Sequence, residues 1–171
     1  LLSVLGITSL YVFYNPVASA ITYEGNLLNG EGAPITITDN QISINGQITD
    51  LAENASVYGN HSQNSDANYN DVTINHSEIS TLYSGWGVNA NSNKVTLNNG
   101  SYAGYVVGGY SNSEKGETSN RNIVTISEST VENVYGGYSL HGSANNNIVI
   151  IDNSIIDDEY YDSAIIGGYA P

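Results

Sequence analysis

Cysteine and methionine are absent from the 171 residues, and phenylalanine and tryptophan occur once each. Without cysteine there is no disulfide, no thiol nucleophile and no thiolate zinc site. Such a chain, once exported, has to be held by a continuous core or by repetition. Positive charge is the second shortage. Lys94, Lys115 and Arg121 stand against 17 acidic residues, giving a net charge of −14. Nucleic acids and anionic membranes are bound by neutralising phosphates with Lys and Arg, so no nucleic-acid partner is expected. The negative charge reads instead as solubility and self-repulsion on an exposed surface. Lys, Glu and Ala, the usual helix fillers, are few beside Asn, Ser and Gly. With 18 glycines and 14 tyrosines, what is present is the composition of strands and turns. The length suits one domain.

Only the opening, LLSVLGITSLYVFYNPVASA, is continuously apolar. It is broken by Asn15 and Pro16 and ends in the small-x-small site Ala18-Ser19-Ala20. That pattern predicts a secretory signal peptide over 1–20, cleaved after Ala20. The run is shorter than the roughly 20 residues of a bilayer span, so no membrane insertion of the mature chain is expected. The missing basic segment and initiator Met lead to the expectation of a longer chain at this end.

A string recurs through the remainder: NDVTINHSEI from Asn70, NKVTLNNGSY from Asn93, NIVTISESTV from Asn122 and NIVIIDNSII from Asn147, with a shorter cousin, NQISINGQI, from Asn40. In each, Asn stands two residues before a β-branched residue, a register that chance does not keep across loops of changing length. Val72 and Ile74 share parity, as do Val95 and Leu97, Val124 and Ile126, Val149 and Ile151, and Ile42 and Ile44. Each pair therefore lies on one face of a strand, with Thr73, Thr96, Thr125, Ser43 or Ile150 on the other. Asn45, Asn75, Asn98, Ser127 and Asp152 follow as turn residues.

A second motif alternates with the first: VYGNH from Val57, LYSGW from Leu82, VVGGY from Val106, VYGGY from Val134 and IIGGY from Ile165. Its final rings, His61, Trp86, Tyr110, Tyr138 and Tyr169, are separated by 25, 24, 28 and 31 residues. Units of this length with two or three short strands predict an all-β fold, a right-handed parallel β-helix (solenoid) of about five coils. In it the aliphatic residues form a buried column, the asparagines an amide ladder at a turn, and the rings a stack. The glycine pairs are expected to bend the chain at one corner through positive φ. Residues 21–55 are read as an N-terminal cap and first coil, with Ile35–Ile44 a hairpin turning at Asp39-Asn40 or the first coil itself; 56–171 are the repeats.

The search for chemistry finds little. His61 occupies a ring position, His76 a turn and His141 a loop, and no two histidines have metal-binding spacing. Many β-helices cleave polysaccharides, and a hydrolase needs two facing carboxylates. Asp152 aligns with Asn98 and Ser127 rather than another acid. Asp157, Asp158, Glu159 and Asp162 gather in the longest insertion and offer oxygen ligands for Ca²⁺, although a solvated charged loop is the simpler account. The sequons Asn75-His76-Ser77 and Asn99-Gly100-Ser101 are expected by chance in a chain rich in Asn and Ser. No catalytic, cofactor-binding or metal residue is assigned.

The units VYGGYSLHGSANNNIVIIDNSII and VVGGYSNSEKGETSNRNIVTISESTV resemble repeats in the passenger regions of Gram-negative autotransporter proteins over roughly residues 56–171. That resemblance implies a non-catalytic β-helical passenger exported through a C-terminal outer-membrane barrel, absent from these residues. It implies display at the cell surface as an adhesin or stalk, with a host-surface protein or glycan as partner. The alternative is a secreted polysaccharide lyase or hydrolase whose active site lies outside these residues.

Overall fold

The computed structural model describes residues 22–24, 35–44, 47–52, 55–112, 114, 117–157 and 163–171. The signal peptide expected at 1–20 and the acids Asp158, Glu159 and Asp162 lie outside them. The described chain contains only strands: β1 (Thr22–Glu24), β2 (Ile35–Thr38), β3 (Gln41–Ile44), β4 (Gln47–Asp50), β5 (Ser56–His61), β6 (Asp71–Asn75) and β7 (Glu78–Gly87). These are followed by β8 (Lys94–Asn98), β9 (Tyr102–Ser111), β10 (Ile123–Ser127), β11 (Thr130–Ser139), β12 (Ile148–Asp152), β13 (Ile155–Ile156) and β14 (Ile165–Tyr169).

The strands make two sheets in which successive coils pair in parallel, a β-solenoid of about four turns. One wall runs β2, β6, β8, β10, β12, and its register aligns Ile35, Val72, Val95, Val124 and Val149, and likewise Ile37, Ile74, Leu97, Ile126 and Ile151. The alternation read from the sequence is what buries these residues. Ile35, Ile37, Val72, Ile74, Val95, Leu97, Val124 and Ile126 are at most 1% exposed, and Thr73, Thr96 and Thr125 between them face outward. Each such burial contributes roughly 1.5–3 kcal/mol. The opposite wall, β5, β7, β9 and β11, supplies Val57, Leu82, Val106 and Val134 to the same core.

The string at Asn40 departs from the expectation. Gln41–Ile44 does not join the parallel stack; it folds back antiparallel on β2, and β4 pairs antiparallel with β3. Of the two readings of Ile35–Ile44, the hairpin is the one that forms. Asp39 and Asn40 both have positive φ, 51° and 57°, the backbone of a two-residue turn that suits strand twist. Asn40 is therefore outside the amide ladder, and its Oδ1 accepts the Glu78 N–H at 2.8 Å.

The ladder itself runs through Asn70, Asn93, Asn122 and Asn147. Asn93 Oδ1 accepts both the backbone N–H (2.9 Å) and the side-chain Nδ2 (2.7 Å) of Asn70. Asn122 Oδ1 takes the same pair from Asn93, and Asn147 Oδ1 the same pair from Asn122, at 2.9–3.1 Å. Asn70, Asn93 and Asn122 are at most 1% exposed. At the lower end, Asn70 Oδ1 is buried without a partner among the described residues.

The glycine pairs are corrected by the structure. Gly108-Gly109 and Gly136-Gly137 lie inside β9 and β11, and neither pair has positive φ. What they supply is room. A Cβ on Gly109 would lie 2.2 Å from Ala90 O and 2.6 Å from Asn122 Nδ2; on Gly137, 2.3 Å from Asn147 Nδ2. The strand does change direction here, because the pairing of β9 with β11 passes over Gly104 and Glu132 and again over Gly108 and Gly136. The inward side switches at each break.

Apart from the hairpin turn and Gly100, whose φ is 72°, positive φ falls in two columns of non-glycine residues. One is His76, Asn99, Glu128 and Asn153; the other is Tyr69, Ser92, Arg121 and Asn146, each directly before a ladder asparagine. Beside the first column, Ser77, Ser101 and Ser129 are buried, and their hydroxyls donate to Asn75 O, Asn98 O and Ser127 O at 2.6–2.8 Å.

These observations make a paired prediction. Gly109→Ala should cost about 3 kcal/mol, because the added methyl overpacks the wall and disturbs a buried amide. Glu128→Gly should add about 0.5–1 kcal/mol, since φ is +49° and its side chain is exposed. Urea denaturation midpoints check both, and a loss on Glu128→Gly or neutrality of Gly109→Ala contradicts the assignment.

Candidate functional site: an outward ladder of aromatic rings

An extended aromatic array lies on the described surface, and the register of β5, β7, β9, β11 and β14 builds it. The residue that closes each glycine-containing motif points outward on its strand, and His61, Trp86, Tyr110, Tyr138 and Tyr169 are successive Cα partners. His61 meets Trp86 edge-on at 4.3 Å; Trp86 and Tyr110 stack at 5.9 Å and 3°. Tyr110 and Tyr138 stack at 5.0 Å and 17°, and Tyr138 and Tyr169 at 5.0 Å and 39°. The ring column expected from the sequence is present, with all five members.

A second column beside it was not singled out. Tyr58 and Tyr83 stack at 5.2 Å and 12°; Tyr105 and Tyr135 continue the line at 6.0 Å and 5.4 Å. The signal was the aromatic three positions before each final ring in VYGNH, LYSGW and VYGGY. It was obscured because VVGGY has Val107 there. Val107 is the Cα partner of Tyr83 and Tyr135, and Tyr105, two residues earlier, fills the gap with its ring. Edge contacts of Tyr83 with Tyr110 and of Tyr135 with Tyr138, both at 5.6 Å, join the columns. All of the rings but the exposed Tyr169 are half-buried, so they are part of the wall and part of the surface.

The packing sets the chemistry of the face. Where the rings stack, each covers the face of its neighbour, which leaves ring edges toward solvent. Burial pushes the Tyr83 phenol up to about 12, with the phenols of Tyr58, Tyr110 and Tyr138 adding to the effect. Burial likewise raises Tyr105, Tyr110 and Tyr138. On the same wall but away from the stacks, Tyr102 is also pushed up to about 12, chiefly because its hydroxyl donates to the Glu132 carboxylate.

The other candidates are dispersed. His76 Nδ1 lies 2.7 Å from Asp39 Oδ1 in an exposed pair beside the hairpin turn, and His141 is exposed in a connection. Asp152 is exposed and in register with Ser127. Asp157 is half-buried; its three partners in the proposed calcium cluster lie outside the described residues. Among the described residues no group of three or more His, Asp or Glu side chains is placed to hold a metal ion. In the first sequon Asn75 Oδ1 accepts Asn99 Nδ2 at 2.5 Å, so the two sequon asparagines bond to each other across coils.

A third wall also escaped the sequence reading. Residues 65–70, 88–93, 117–122 and 142–147 stack, with Ala67 N–H donating to Asn89 O, Ala90 N–H to Thr118 O and Ser119 N–H to Ser143 O at 2.7–2.9 Å. Asn68 Oδ1 accepts the Asn91 N–H, and Asn91 Oδ1 the Asn120 N–H, both at 2.7 Å. The signal was Asn-x-Asn, repeated at 68/70, 91/93, 120/122 and 145/147.

No protein family, curated protein or solved structure matches the chain. No described helix is long and apolar enough to cross a membrane.

The raised phenols fix a pH dependence. A phenol whose native pKa exceeds its unfolded value of about 10 holds its proton more tightly when folded. Its contribution is whole below pH 10 and is lost as the pH climbs toward 12. The denaturation midpoint should therefore fall steadily over that interval, and Tyr83→Phe should make the fall shallower. A midpoint that stays level to pH 12 contradicts the buried-phenol reading.

Proposed function

We propose that this chain is the β-solenoid of an exported, cell-surface protein with a structural and adhesive role, of the kind the autotransporter resemblance implies. The observation that carries the reading is the continuous face of nine rings, Tyr58 through Tyr169, displayed on the outside of a rod of parallel coils. Three hydrogen-bonded walls keep such a rod stiff, and a stiff rod presents its surface groups at fixed spacing. Aromatic side chains with polar tips are the residues that binding surfaces favour. Because the ring faces are taken up by stacking, the partner is one that meets edges and hydroxyls: a protein surface or a hydroxyl-rich glycan on a host cell.

The test is binding of the purified, folded chain to an array of host glycans and matrix proteins. Saturable binding that weakens at least ten-fold, about 1.4 kcal/mol, in Trp86→Ala and Tyr138→Ala proteins with unchanged β-rich spectra supports the adhesive face. Binding indifferent to these changes removes the face from the account. An array without saturable binding leaves a passive stalk, and hydrolysis of an arrayed polysaccharide favours the carbohydrate-active alternative.

A further inference from the structure

The aromatic columns bring identical, oxidisable side chains together at a regular spacing, which has a chemical consequence independent of adhesion. Tyr110, Tyr138 and Tyr169 are direct Cα partners in parallel, in-register strands, about 4.8 Å apart along the axis. Their rings are 5.0 Å apart at each step. The ring planes lie 17° apart between Tyr110 and Tyr138 and 39° apart between Tyr138 and Tyr169. The column reaches solvent: Tyr110 and Tyr138 are half-buried and Tyr169 is 38% exposed. The chain also contains no Cys and no Met, the side chains whose sulfur ordinarily absorbs oxidising equivalents. Oxidation is thereby left to Tyr and Trp, and Trp86 stacks on the end of this same column at 3° to Tyr110.

We propose that Tyr110, Tyr138 and Tyr169 form a site of oxidative phenol coupling, at which dityrosine bonds staple successive coils of this cysteine-free solenoid. Each of two neighbouring phenols gives up one electron and its hydroxyl proton. The two phenoxyl radicals join through the carbons ortho to oxygen, and the ortho hydrogens shift to restore both hydroxyls. The pair loses two electrons and two protons in all. The co-reactant is a peroxide acting through a heme peroxidase, and hydrogen peroxide takes up those electrons and protons to become two waters. The new bond closes a loop between coils, the place a disulfide would take in a cysteine-containing secreted protein. Tyr58 and Tyr83, stacked at 5.2 Å and 12°, form a second pair of the same geometry.

The experiment treats the dilute, folded chain with hydrogen peroxide and a heme peroxidase, followed by intact mass, dityrosine fluorescence and peptide mapping. The expected product is a monomer lighter by two hydrogens per bond, with cross-linked peptides joining Tyr110 to Tyr138 or Tyr138 to Tyr169. Tyr138→Phe keeps a ring in the stack but cannot couple, so both links should vanish and the dityrosine yield should fall at least two-fold. Tyr69→Phe, which removes an exposed phenol outside the columns, should leave the yield unchanged. Links scattered to Tyr69 or Tyr102, links mainly between molecules, or a yield that Tyr138→Phe does not lower would overturn the proposal.

Discussion

A buried amide that finds partners for its oxygen and its nitrogen is close to neutral in stability, and one that loses a partner costs about 1–3 kcal/mol. The column Asn70, Asn93, Asn122, Asn147 places this constraint at the same point of every coil. The Oδ1 of Asn93, Asn122 and Asn147 each receives two N–H groups from the preceding coil, one from the backbone and one from the side chain, while Asn70 Oδ1, at the lower end, receives none among the described residues. A coil that slipped by one residue would leave all of these groups unpaired inside the protein. Register along the rod is therefore fixed by polar geometry as much as by Val and Ile shape. The second glycine of each pair follows from the same constraint, because the amides occupy the space in which a Cβ at Gly109 or Gly137 would stand, as they do at Gly85, while a Cβ at Gly108 or Gly136 would meet the next coil's backbone carbonyl. Rings follow the glycines by one position and so inherit the register as a stack.

Much of this was legible in the sequence. Alternation in NIVTIS and its copies identified the inward residues, and the repeated Asn identified the ladder, because both signals are one residue deep and survive loops of any length. The reason for the glycines was not legible. A pair of glycines at a bend suggests left-handed backbone, and only the position of Asn122 Nδ2 shows that volume is what is scarce. The left-handed positions went unnoticed because Tyr69, Ser92, Arg121 and Asn146 share no side-chain chemistry; what unites them is backbone conformation. Asn40 misled for the opposite reason. It has the local string of a ladder residue, but the contacts that define the ladder are made between coils, and there Ile35 and Ile37 already hold the register with Val72 and Ile74.

For the candidate site, the column of final rings was readable because each ring closes a glycine-containing motif, a glycine pair in three of the five copies. The second column was not, since Tyr105 reaches its place from a different sequence position than Tyr83 and Tyr135. Whether a ring face is open or covered is likewise a property of the stack and not of the residue. That property bears on the proposed function, because covered faces leave ring edges, rather than faces, for a partner to meet. The same covering brings phenols close enough to react with one another.

The central claim is that the asparagine ladder is a closed part of the core. Hydrogen exchange of side-chain amides by NMR tests it without changing a residue. The Nδ2 protons of Asn70, Asn93 and Asn122 are expected to exchange as slowly as the backbone amides of β8 and β10, opening only with the coils themselves, while those of exposed Asn64 exchange at the rate of free amides. Ladder amides that exchange as fast as Asn64 would contradict this, and the register would then rest on the aliphatic core alone.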